Sequence, residues 1–196
     1  VQRPCAATVS PAAFRLAGGC LPLSAQPMRL FFALACPPPV AEQIVEWRSA
    51  LALDGSPVSA ANLHVTLAFV GQQAEQRLAT LLDLAASIEA QPFTLQLDQL
   101  CLWPEGLLHL AASHPPTALL KLASDLQHKL RSSGFELEQR EYLPHLTLAR
   151  HSRQPAKVAP PAFAWNVNQF SLFVSLPEPA GVRYTALASW RLHRAP

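Results

Sequence analysis

The chain lacks the signatures of the commoner catalytic machineries. It contains no GxSxG elbow, no GxxxxGK[ST] phosphate loop and no GxGxxG turn, which argues against serine-hydrolase, P-loop and dinucleotide-binding chemistry. Its four cysteines, Cys5, Cys20, Cys36 and Cys101, show no CxxC pair or finger-like spacing. They are expected to be reduced thiols of a cytoplasmic protein rather than a disulfide framework or a zinc site. Lysine and arginine form no run, and 15 basic against 13 acidic residues leave a net charge of +2. That balance argues against a protein that coats duplex nucleic acid and suits one that binds a small anion or a nucleic-acid end. No apolar run is long enough for a transmembrane helix, so no membrane role is expected.

Methionine occurs once, at Met28. The residues before it mix proline, alanine and glycine without periodicity, and Arg15 interrupts the best candidate for a signal-peptide core. A disordered N-terminal extension is therefore predicted over 1–27, and a single domain over 28–196. Half of the residues are hydrophobic, enough for a substantial core. Leu30 to Cys36 reads as a buried strand.

What the chain does contain is a repetition. HVTLAFVG at 64–71 and HLTLARHS at 145–152 share His-x-Thr-Leu-Ala, in a chain with only seven histidines. Chance is a poor explanation for two such matches. The surroundings repeat as well. PPVAEQIVEWRSAL (38–51) and PTALLKLASDLQHKLRSSG (116–134) each open with proline, space their apolar residues helically and precede one of the motifs. FTLQLDQLCLW (93–103) and FAWNVNQFSLF (163–173) align without a gap and alternate as half-buried strands do. Each is followed by another apolar strand candidate, at 107–113 and 183–190. The pattern of helix, His-x-Thr strand and further strands is thus written over 38–113 and again over 116–190. An additional amphipathic helix is expected near 75–90. The prediction is an α+β fold of two pseudo-symmetric lobes, each a small, mainly antiparallel sheet with outer helices, around a central cleft.

Alternation along a strand puts His64 and Thr66 on one face, and His145 and Thr147 likewise, with Val65, Leu67 and Phe69 directed to the core. Two imidazoles facing across a cleft can supply a general base and a general acid near neutral pH. Two hydroxyls can hold a non-bridging oxygen that gains charge. A phosphodiester fits this constellation. His109 and His114 stand apart and no acid or cysteine cluster accompanies them, so no metal and no other cofactor is expected. Arg150 is a candidate phosphate contact, although strict alternation puts it on the face opposite His145. Tyr142 is a candidate for stacking on a base. Trp103, Trp165 and Trp190 are expected in the core.

With RLFFAL at 29–34, NLHVTLAFVG at 62–71, PHLTLAR at 144–150 and RYTALASWRL at 183–192, the chain resembles the 2H phosphoesterase superfamily. Within it, the chain looks like the bacterial and archaeal RNA 2',3'-cyclic phosphodiesterases, the LigT-like proteins formerly called 2'-5' RNA ligases. The resemblance spans about residues 29–192. It implies metal-free hydrolysis of a terminal RNA 2',3'-cyclic phosphate to a 2'-phosphomonoester, with His64 as proton donor and His145 as proton acceptor. The residues themselves support both histidines without ordering their roles. The implied partners are RNA ends or nucleotides bearing a 2',3'-cyclic phosphate, and a monomer is expected. Action on another cyclic nucleotide, reverse 2'-5' ligation, and non-catalytic binding of RNA ends stay open as alternatives. Relatives often carry a basic residue where this chain has Glu105 in WPEGLL, which leaves substrate preference open.

Overall fold

The computed structural model describes residues 8–9, 27–51, 53–153, 159, 161–179 and 181–193. The predicted disorder of 1–27 falls on residues outside that range, apart from Thr8–Val9 (β1), which pair with Ser189 and Ala188, and Pro27. Much of the proline-containing stretch after the second motif, residues 154–158 and 160, lies outside that range too.

Proline at the first two helical positions opens α1 (Pro38–Ser49), where a missing N–H costs nothing. Pro116 precedes α3 (Thr117–Ser132). This helix stops at Gly134, whose φ of 75° lets the Phe135 N–H reach back to the Leu130 carbonyl at 3.0 Å. The expected extra helix is α2 (Leu78–Ala86), entered through a 3-10 turn at Glu75–Arg77. Ile44 of α1, Leu81 of α2 and Leu119, Leu122, Leu126 and Leu130 of α3 are fully buried. They pack into one core with the inward face of the sheet.

The remaining strands are β2 (Met28–Ala35), β3 (Ser56–Pro57), β4 (His64–Gln73), β5 (Phe93–Leu97), β6 (Gln99–Leu102), β7 (Leu108–Ala111), β8 (His145–Arg150), β9 (Phe163–Val167), β10 (Gln169–Glu178) and β11 (Gly181–Arg191). The main sheet runs β1-β11-β10-β2-β4-β8-β7-β6, with β3 added to β8. Every pairing is antiparallel. β5 and β9 form a separate two-stranded sheet. The α+β, two-lobed architecture expected from the sequence is thus present, one lobe on each side of the junction between β4 and β8.

Two details differ from the expected strands. The aligned segments 93–103 and 163–173 each break in the middle, at Asp98 and Asn168, and the chain changes sheets there. Asp98 turns the corner by accepting the Ser113 N–H on its carboxylate at 2.7 Å. In addition, the strand flanking β8 is β7, whereas the one flanking β4 is β2. The place equivalent to β7 is therefore held by β2 and not by β11, the strand that follows the second copy in the chain.

Residues equated by the repeat also pair with each other. Val65 opposes Leu146 at the β4–β8 junction, and Leu95 opposes Trp165 at the centre of the small sheet. Like meeting like at both places defines a pseudo-twofold axis through the two pairs.

Arg48 ties the lobes together. It projects from α1 into the core, 8% exposed. One guanidinium nitrogen donates both to the Val58 carbonyl, at 2.6 Å, and to the Leu148 carbonyl on β8, at 2.9 Å. Arg48→Met keeps the aliphatic stem but removes the donor. A loss of about 1.5–3 kcal/mol is expected, as for a charged donor withdrawn from buried carbonyls. A urea midpoint unchanged from the wild type would refute this role.

Candidate active site

β4 and β8 meet at a single bridged pair, Val65 and Leu146. Both side chains are fully buried, so the residues on either side face away from the core. One step from the bridge in this antiparallel register, His64 lies beside Thr147 and Thr66 beside His145. All four are partly exposed. The structure therefore gathers the four motif residues into one diagonal square, imidazole against hydroxyl on both edges.

Both rings are anchored in the same way. The His64 Nδ1–H donates to the Asn62 carbonyl at 2.6 Å, and the His145 Nδ1–H donates to the Leu143 carbonyl at 2.7 Å. A carbonyl can only accept, so each Nδ1 carries the proton and, in the neutral ring, each Nε2 is left as an acceptor. Asn62 in turn donates to the Val182 carbonyl at 2.7 Å and accepts the Tyr184 N–H at 3.1 Å, fixing β11 against the His64 side. Burial is the main reason His64 is pushed down to about 4, helped by the charges of His145 and Arg150. Burial also lowers His145, with further lowering by His109, Arg140 and Arg150. Both imidazoles are thus neutral at pH 7.

Strict alternation fails just beyond each motif. Ala68 pairs with Phe32 and Thr66 with Ala33, leaving Leu67 unmatched. Ala149 pairs with Leu108 and Thr147 with His109, leaving Leu148 unmatched. Each is a β-bulge, which puts two consecutive side chains on the same side; Leu67 and Ala68 are both buried, as are Leu148 and Ala149. The parity resets, and the next residues return to the cleft face. This corrects two expectations. Phe69 does not point into the core but is 39% exposed, and Arg150 shares the face of His145 rather than opposing it.

The two walls differ in chemistry. Around His64 stand Phe31 and Tyr184, with ring centroids 5.0 and 5.1 Å away, and Phe173 stacks on Phe31 at 5.4 Å. They line a cavity of about 310 Å³ that runs past Asn62 to the start of α1. Around His145 stand Trp103 and His109, at 4.6 and 5.4 Å. A cavity of about 420 Å³ opens on that side, lined by Thr66, Phe69, Trp103, Tyr142 and His145. Trp165 and Trp190 are buried as expected, but Trp103 forms cleft wall. Tyr142 lines the same cavity, and its hydroxyl donates to the Thr66 carbonyl at 3.1 Å. Glu105 is exposed on the rim.

Phe31, Phe173, Tyr184 and His109 join the site without having been selected from sequence. Phe31 was readable, because alternation along β2 places it opposite the buried Phe32. The others depend on which strands become neighbours. Among the described residues no three His, Cys, Asp or Glu side chains come together as metal ligands, and no helix is long and apolar enough to cross a membrane.

The model of the LigT-like phosphoesterase family matches the chain twice, over residues 34–109 and 110–184. The two matches begin at Leu34 and Leu110, residues that hold equivalent places in β2 and β7. The chain is 37% identical over 172 residues to an RNA 2',3'-cyclic phosphodiesterase of Escherichia coli, covering 85% of this chain and 98% of that protein. It is 31% identical over 183 residues to the protein of the same name from Thermus thermophilus, covering 84% and 90%. Among solved structures, E. coli LigT complexed with 3'-AMP superimposes with a TM-score of 0.82 at 35% identity, over 86% of this chain and all of that one.

Proposed function

Because the chain belongs to the LigT-like phosphoesterase family, we propose that its paired imidazoles hydrolyse terminal RNA 2',3'-cyclic phosphates to 2'-phosphomonoesters without a metal ion. The observation that carries the reading is the anchoring of both Nδ1 atoms on backbone carbonyls, which leaves two Nε2 atoms on one cleft face. The cyclic phosphate sits between them. His145 Nε2 takes a proton from water as the water oxygen bonds to phosphorus. The P–O3' bond breaks in line, and His64, protonated at Nε2, gives its proton to O3'. The O2'–P bond survives, so the product is a 2'-phosphate with a free 3'-hydroxyl. Thr66 and Thr147 donate to the non-bridging oxygens, and Arg150 adds positive charge beside them.

A histidine held at about 4 is an unpromising proton donor. An arriving phosphodiester changes that, since its negative charge stabilises the imidazolium and offsets the cost of burial. Protonation of His64 is thereby coupled to substrate binding. The assignment of donor to His64 follows the family resemblance; beside it, the partly exposed Tyr184 and Phe173 offer aromatic surface to the base of the terminal nucleoside. Tyr142, with its hydroxyl engaged by β4, acts through its ring on the opposite side. The site is complete within one chain, which fits action as a monomer, and RNA ends in the cytoplasm are the proposed substrates.

An oligonucleotide ending in a 2',3'-cyclic phosphate, incubated with the protein in EDTA, tests the reading. Turnover at the rate seen without EDTA is expected, with phosphorus NMR showing a 2'-phosphate. Loss of activity that a divalent ion restores would refute the metal-free mechanism. A predominant 3'-phosphate would reverse the orientation of the substrate.

A further inference from the structure

The twofold arrangement makes any unequal pair of residues informative, and one such inequality lies at His109. Three residues in adjacent strands form a row on the cleft face of one lobe: Cys101, His109 and Thr147. Their equivalents in the other lobe are Ser171, Ala33 and Thr66. The methyl group of Ala33 on one wall is thus replaced by an imidazole on the other. His109 is 3% exposed. Its Nδ1–H donates to the Leu107 carbonyl two residues earlier, at 3.1 Å, the same anchoring that holds His64 and His145.

The ring is packed against the proposed base. The centroids of Trp103, His109 and His145 close a triangle with sides of 4.4, 4.6 and 5.4 Å. The corresponding group around His64 consists of Phe31, Phe173 and Tyr184. No second imidazole belongs to that aromatic group.

We propose that His109 is a positioning residue for His145, braced with Trp103 against its ring and opposing, as a neighbouring imidazole, the arrival of a proton on the base. The inference rests on the assignment of His145 as base. Other groups face the same pair. His64 approaches from β4, Cys101 from β6, Glu105 from the turn after it, Glu138, Arg140, Glu141 and Tyr142 from the segment before β8, and Arg150 from β8 itself. Of these, Arg140 and Arg150 also resist protonation of His145, but both are exposed. His109 alone combines ring contact with a charge that varies with pH, burial holding its own titration below the ordinary imidazole range.

Two uncharged variants test this. His109→Phe keeps a ring against Trp103, and His109→Gln keeps a donor for the Leu107 carbonyl. In each, the titration of the His145 imidazole, followed by NMR, should move up by about half a pH unit, the size expected for a partly screened charge at this separation. The sign follows from removing a repulsion that lowers His145. The loss in kcat/KM should be about threefold greater below the His145 titration, where more of the base is now protonated, than well above it. A pH profile and an NMR titration superimposable on the wild type would overturn the proposal, as would a loss uniform across pH, which marks packing alone. Failure of the underlying reading is detected separately, as turnover that survives His145→Ala.

Discussion

Replacing His64 or His145 with alanine is expected to lower kcat by about a hundred- to ten-thousandfold, the range of a general acid or base withdrawn from its transition state. The protein should stay folded. Each ring stands partly exposed on the cleft face, and the only hydrogen bond lost is to a carbonyl next to the cleft. The two variants should also differ from each other. A substrate whose leaving group departs without a proton, such as a nitrophenyl phosphodiester, should restore much of the rate in His64→Ala and little in His145→Ala. Equal rescue of both would cancel the assignment of donor and acceptor. Wild-type rates on the cyclic phosphate in either variant would remove the two-histidine mechanism altogether.

Thr66→Ala and Thr147→Ala should each cost about ten- to a thousandfold in kcat, as for donors to an oxygen that gains charge. The loss should appear mainly in kcat, because the hydrogen bond strengthens as the phosphorus becomes five-coordinate. If the threonines share one phosphate, as proposed, the double variant should lose less than the product of the single losses. A purely structural pair would show the reverse pattern, with lowered thermal midpoints and unchanged kcat. Steady-state kinetics on a cyclic-phosphate substrate, with melting curves alongside, separates the two.

The sequence carried the site's centre because that information is local. Two residues apart on a strand means one shared face, so His-x-Thr specifies its own geometry, and proline before each helix marks where the motif strand is approached. Phe69 and Arg150 were misplaced because a bulge leaves no local mark. Neither Leu67–Ala68 nor Leu148–Ala149 contains glycine, and both look like ordinary buried strand. The breaks at Asp98 and Asn168 were more legible, as both residues disfavour strand and favour turns. Arg48 illustrates the opposite limit. Its sequence context is a plain amphipathic helix, and only tertiary structure turns it inward to β8. The pairing of β7 with β8, which creates the Trp103–His109 wall, depends likewise on which strands the topology makes neighbours.

The diagonal square of motif residues also bears on stereochemistry. A phosphodiester's two non-bridging oxygens are prochiral, distinct by handedness though identical in composition. Thr147 lies on one edge of the square and Thr66 on the other, so each oxygen would meet a different hydroxyl. On the proposed assignment, a near-symmetric protein would thereby give the phosphorus centre two non-interchangeable sides: one oxygen on the edge with the proton donor, the other on the edge with the base.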